Sequence, residues 1–180
     1  HRNDTTKDLR VAHYVGSGGS CDNTAWECEG VDTTGNIDSF TSIAIDPSEN
    51  AWVSYRDSTA GTLKVANYVG GGSGSGCNDN DWTCTTVEGA NDNGDGSSIA
   101  FDTTGNAWVS FFSNGATPGQ QLQIAKYVGS GGSGCNSSVW TCSVIYDTNL
   151  VNNTAIAFDP AGDAWIAFKV VTGDLIVAKY

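Results

Sequence analysis

The 180-residue chain has no methionine, three prolines, two histidines, and only eight lysines and arginines combined. Set against 20 acidic residues, that shortage of cations leaves a formal charge of −12. Such a surface repels polyanions, so no nucleic acid and no anionic membrane is expected as a partner. The arginines are Arg2, Arg10 and Arg56, too scattered to clamp a substrate carboxylate bidentately. Beyond His1 stands only His13, and no serine or cysteine nucleophile is placed beside it, so a hydrolytic triad is not expected. No apolar run approaches the roughly 20 residues that cross a bilayer, so no membrane insertion is expected. The chain does not open on a basic and then apolar leader. His1 is not a translation start, and a removed leader or a longer preceding segment is expected.

What the chain does have is repetition. SIAIDPSENAWVSY (42–55), SIAFDTTGNAWVSF (98–111) and AIAFDPAGDAWIAF (155–168) are copies of one hairpin. Each has a short apolar strand, a turn opened by Asp46, Asp102 or Asp159, and a second strand carrying Trp52, Trp108 or Trp165. A further strand, Leu-x-(Val/Ile)-Ala-x-Tyr, begins at Leu9, Leu63, Leu122 and Leu175, at spacings of 54, 59 and 53 residues. That period belongs to stacked-repeat architectures.

Cysteines repeat as well: Cys21/Cys28, Cys77/Cys84 and Cys135/Cys142, each pair with Trp26, Trp82 or Trp140 two residues before its second member. Six cysteines allow fifteen connectivities, but repetition favours the local pairing, since each unit must solve the same problem. A loop this small contributes about 2.5 kcal/mol on the chain-entropy model. Zinc is disfavoured, because no histidine adjoins any pair and the spacing is not that of a zinc site. Three local disulfides point to an oxidising compartment, extracellular or at the cell surface.

Each repeat thus holds four short strands, with no helix-period segment of useful length. Side chains alternate between strand faces. Ile43 and Ile45 oppose Ala44, and Val53 and Tyr55 oppose Trp52 and Ser54, so both faces are apolar. Sheets stacked face to face on neighbours require this, as in the four-stranded blades of a β-propeller. The hairpin residues Ile-Ala-Phe-Asp-Thr-Thr-Gly-Asn-Ala-Trp-Val-Ser resemble the inner hairpin of NHL-type and related bacterial propeller repeats. They are similar, more loosely, to the sialidase-type Asp-box. They depart from that box because Gly105 lies three residues after Asp102 rather than two, and Glu49 replaces the turn glycine in the first copy. The resemblance implies an all-β array of tandem four-stranded antiparallel blades.

Aligning the repeats gives a partial blade at 1–41 (strands three and four), whole blades at 42–97 and 98–153, and a partial blade at 154–180 (strands one to three), all in one repeat domain. Both end pieces supply strand three, so they cannot make one ordinary blade. A closed ring needs about four blades at least, and an open or incomplete array is therefore expected. Unfinished blades offer unpaired backbone groups to another copy, which makes self-association the expected partnership.

Few residues invite chemistry. Asp46, Asp102 and Asp159 recur at one turn position and read as turn acceptors. Trp52, Trp108 and Trp165 read as packing groups. Trp26, Trp82 and Trp140 are either packing groups on the disulfides or platforms for a glycan. Asn91, Asn93 and Asp95 partly match a calcium loop and are the only candidate cofactor ligands. Asn3, Asn136 and Asn152 lie in N-glycosylation sequons. The expected function is a non-enzymatic extracellular structural or adhesive repeat protein, self-assembling into a fibre. The alternatives are a glycan-binding propeller and a non-catalytic fragment of a larger extracellular enzyme.

Overall fold

A computed structural model describes residues 6–89, 93–114, 120–147 and 150–180, with side chains at all of these except 39 and 150–152. Among them are thirteen strands. In chain order they are β1 (Leu9–Tyr14), β2 (Trp26–Asp32), β3 (Ile37–Ile45), β4 (Ala51–Asp57), β5 (Thr62–Tyr68), β6 (Trp82–Glu88) and β7 (Asn93–Phe101). Then come β8 (Ala107–Ser113), β9 (Gln121–Tyr127), β10 (Trp140–Tyr146), β11 (Leu150–Phe158), β12 (Ala164–Val170) and β13 (Leu175–Lys179). They form antiparallel sheets β1–β2, β3–β6, β7–β10 and β11–β13, each running in chain order. This is an all-β array of propeller-like blades, open rather than closed into a ring.

The alternation of apolar residues decides how the sheets stack. In the sheet β3–β6, Val53, Tyr55, Ala66 and Trp82 point back into a core shared with Leu9, Val11 and Val31. On its opposite face, Leu63, Val65 and Val87 enter the next core with Ile99, Val109 and Phe111. A third core joins Trp108, Leu122 and Ile124 to Ile156, Ile166 and Phe168. Four sheets therefore meet in three seams, and each internal sheet is apolar on both faces. The first strands β3, β7 and β11 lie against one another, as strands do around a propeller axis.

The first strands are longer than their apolar cores suggest. Residues 37–41 and 93–97 are the opening halves of nine-residue strands. The expected blade limits at 41/42, 97/98 and 153/154 consequently fall inside β3, β7 and β11. Breaks in pairing register between Ile37 and Thr41, Asn93 and Ser98, and Val151 and Thr154 mark bulges in these strands. Bulges bend a strand and break its alternation, which hides the strand from a period-2 reading. Gly94 and Gly96, at φ 98° and 56°, supply conformations that the bulge in β7 needs.

Hydroxyls fasten neighbouring blades near the axis. Ser42 Oγ accepts the Ile99 N–H at 3.2 Å, and Ser98 Oγ accepts the Ile156 N–H at 3.3 Å. Ser54 and Ser97 share a hydrogen bond at 3.0 Å, and Thr154 donates to Ser110 at 3.1 Å. Each blade clasps its successor through the same two serine positions. In the last sheet those positions are Ala155 and Ala167.

Candidate functional site

The repeated turn acids are fully employed. Asp102 accepts the Thr104 N–H at 3.0 Å, the Asn106 N–H at 2.9 Å and the Trp108 indole N–H at 2.9 Å. Asp46 accepts the same set from Ser48, Asn50 and Trp52, and Asp159 from Ala161, Asp163 and Trp165. Partial burial pushes the Asp46 and Asp102 carboxyls upward, but these donors outweigh it and hold both below the usual carboxylate range. Asp159 is lowered chiefly by its Trp165 bond. These are ionised turn anchors that also aim a tryptophan.

The aimed tryptophans fill a slot in the next sheet. Trp52 meets Phe101 and Tyr127 edge-on, with ring centroids 5.7 and 5.3 Å away. Trp108 meets Phe158 and Tyr180 at 5.6 and 5.9 Å. Sheet β3–β6 has the same slot, where Ile45 and Tyr68 stand for the ring pair. There it is open, a cleft of about 330 Å³ lined by Val11, Ile45, Ala51, Tyr68, Glu29 and Glu49 among others. Glu29 and Glu49 give its rim an acidic character that the filled slots lack, since Thr85 and Gly105 hold those positions in the next repeat. Burial raises the Glu29 carboxyl above its ordinary range, against the pull of its hydrogen bond from Trp82. His13 is brought to the same rim.

The cysteine loops close as local disulfides, Cys21–Cys28, Cys77–Cys84 and Cys135–Cys142, with Cα separations of 5.1, 4.9 and 5.0 Å. Glycine is obligatory within them: a Cβ at Gly19, Gly74 or Gly132 would sit 2.0–2.1 Å from the carbonyl oxygen of Trp26, Trp82 or Trp140. The second and third loops also reach back to the preceding sheet. Asn78 Oδ1 accepts the Thr33 N–H at 2.7 Å, and Asn136 Oδ1 accepts the Gly89 N–H at 3.0 Å. The Asn136 sequon thus coincides with a clasp between sheets.

The tryptophans of these loops divide by position. Trp82 and Trp140 are 1 % exposed, packed within seams, with Trp82 at the floor of the cleft over Ile45 and Tyr68. The burial follows from the sheet stacked on each, which no local reading of Trp-x-Cys reveals. Trp26 stays exposed and packs edge-on against Tyr14 at 5.5 Å.

Two of the three candidate calcium ligands lie among the described residues. Asn93 and Asp95 stand in β7, where Asn93 Nδ2 donates to the Gly89 carbonyl at 2.7 Å and Asp95 pairs with Arg56 at 3.4 Å. The same guanidinium hydrogen-bonds Asp38, so it lies between two carboxylates. Asn91 lies outside the described residues, as does Asn3, and the Asn152 side chain is likewise not described. Among the described residues, one acid and cysteine cluster could hold a metal by distance alone: Glu88 with Cys135 and Cys142. Both sulfurs are spent in a disulfide, which removes the thiolates a metal would need.

No protein-family model and no curated protein matches this chain. Among solved structures it is similar to a fucose lectin from Kordia zhangzhouensis in complex with methyl-fucoside, at 10% sequence identity and a TM-score of 0.44. The likeness covers 78% of this chain and 91% of the lectin. It is too distant to carry a ligand from one protein to the other.

Proposed function

We propose that this chain is a non-enzymatic, extracellular structural or adhesive repeat protein that joins copy to copy through the outer faces of its end sheets. One observation carries the reading. Those outer faces bear the side chains that pair inside the seams, left exposed: Trp165, Leu175 and Val177 at one end, and the Tyr14–Trp26 pair at the other. Contiguous apolar surface of this kind marks an interaction site. The disulfides support an oxidising setting, and the Asp-Thr-Thr-Gly-Asn turn at 102–106 supports kinship with NHL-type repeats.

Sedimentation velocity over a hundredfold concentration range, with imaging of the concentrated sample, tests the reading. Concentration-dependent association and regular fibres are expected; one monomeric species throughout would contradict it. The exposed Tyr14–Trp26 step favours a second reading, glycan binding at that face. A glycan array in which binding disappears with Trp26→Ala would support it, and a blank array would remove it.

A further inference from the structure

Reduction changes what the third cysteine loop can hold. A Glu88 carboxylate oxygen and the Cys135 and Cys142 sulfurs all lie within 4.8 Å of one another. Two cysteines and a carboxylate suit a thiophilic divalent cation such as zinc or cadmium, with water in the fourth tetrahedral position. Closed, the disulfide offers that cation no thiolate. Opened, it offers two.

Backbone hydrogen bonds hold the three side chains together independently of the disulfide. Across the seam, Asn136 Oδ1 accepts the Gly89 N–H at 3.0 Å, and the Val87 carbonyl accepts the Ser137 N–H at 3.4 Å. Within the loop, the Ser133 carbonyl accepts the Cys142 N–H at 2.9 Å, and the Ser138 carbonyl accepts the Gly132 N–H at 2.7 Å. The loop therefore keeps its two cysteines face to face after the S–S bond is cut. Tetrahedral metal–sulfur bonds of about 2.3 Å set two sulfurs about 3.8 Å apart, which small rotations about each Cα–Cβ bond supply. All three side chains are half-buried rather than sealed from solvent.

The third loop differs from the second in what faces the sulfurs. There the seam acid is Asp32, fully buried and held by Tyr55, Thr34 and Lys64. The group that meets Cys84 Sγ is the Tyr55 hydroxyl, at 3.2 Å. Phe111 stands at the Tyr55 position in the next sheet and removes that hydroxyl. Glu88, one methylene longer than Asp32, accepts backbone N–H groups from Gly89 and Asn136. Among the described residues no lysine or arginine bridges it.

We propose that Glu88, Cys135 and Cys142 form a redox-gated site for a thiophilic divalent cation. The S–S bond takes two electrons and two protons from an external dithiol, which closes to its own disulfide. The cation then forms two bonds to sulfur and one to the Glu88 oxygen, and the two thiol protons pass to solvent. The site stands apart from the scaffold reading, which concerns the oxidised chain.

The test reduces the chain with a phosphine, removes the phosphine under argon, and titrates cadmium while thiolate-to-metal absorption is read in the ultraviolet. A single tight site is expected after reduction and none before it. Iodoacetamide footprinting with peptide mass mapping should show cadmium protecting Cys135 and Cys142, while the other four cysteines react at their metal-free rates. Glu88→Gln should weaken binding at least about tenfold, since loss of even a supporting contact costs a metal site that much. Absence of the absorption band would overturn the proposal, as would unchanged affinity in Glu88→Gln. Equal protection of all three pairs, which a chain unfolded by reduction would give, would overturn it too.

Discussion

The first and third seams use the same three backbone positions for opposite chemistry. In the first, Asp32 is fully buried and accepts hydrogen bonds from Tyr55 Oη at 2.7 Å, from Thr34 and from the Lys64 ammonium. In the third, the corresponding residues are Tyr146, Phe168 and Ile176, with the two rings 5.3 Å apart. The middle seam, with Glu88, Phe111 and Gln123, lies between these extremes. One register and one strand spacing therefore accept either an ion pair or an apolar cluster, provided that every buried polar atom finds a partner. Burial alone would raise the Asp32 carboxyl; the bonds from Lys64, Thr34 and Tyr55 turn the balance and hold it low. Shape recurs along the array, and polarity is local.

The sharpest way to break the comparison is to orphan the buried charge. Asp32→Ala leaves Lys64 and the Tyr55 hydroxyl without their acceptor and should cost about 3–5 kcal/mol, read by urea unfolding. Converting the whole set to its third-seam form, Asp32→Tyr with Tyr55→Phe and Lys64→Ile, should instead be neutral or stabilising by about 1–4 kcal/mol. A triple variant as unstable as the single one would show that the seams are not interchangeable.

Acid should separate the seams next. Asp32 and Asp102 have folded values below the ordinary carboxylate range, so each contributes stability that is present above about pH 3.9 and lost as pH falls through the folded value. Thermal melts between pH 5 and 2 should fall steeply for the wild type. The fall should be shallower for the triple variant, which lacks the buried acid. Smallest is the axial clasp: Ser98→Ala removes the acceptor for the Ile156 N–H and should cost about 1 kcal/mol. The last sheet already carries alanine at this position, so Ala155→Ser should change stability little.

Much of this arrangement was legible in the residues. Strands with an apolar core, such as Ala51–Asp57 and Thr62–Tyr68, announce themselves by alternation, and the disulfides by their spacing. The opening halves of β3 and β7 were not legible, because bulges break the period and their polar residues face the axis. Nor was the close approach of Gly74 and Gly132 to a carbonyl, which depends on how each cysteine loop folds back. That Asp95 lies beside Arg56 was not legible either, because the arginine stands nearly forty residues earlier in the chain. The open slot was invisible in sequence. Among the described residues it lies over Ile45 and Tyr68, at the position where Trp52 and Trp108 pack in the next two sheets.

That slot gives the most direct test of the account. Fluorine NMR of chain labelled with 5-fluorotryptophan resolves the six indoles, including Trp52, Trp108 and Trp165. As concentration rises, the Trp165 resonance should move toward those of Trp52 and Trp108 and lose its sensitivity to solvent, while those two stay fixed. Six resonances unchanged from dilute to concentrated solution, with Trp165 still solvent-sensitive, would contradict association of copies through the face that bears Trp165.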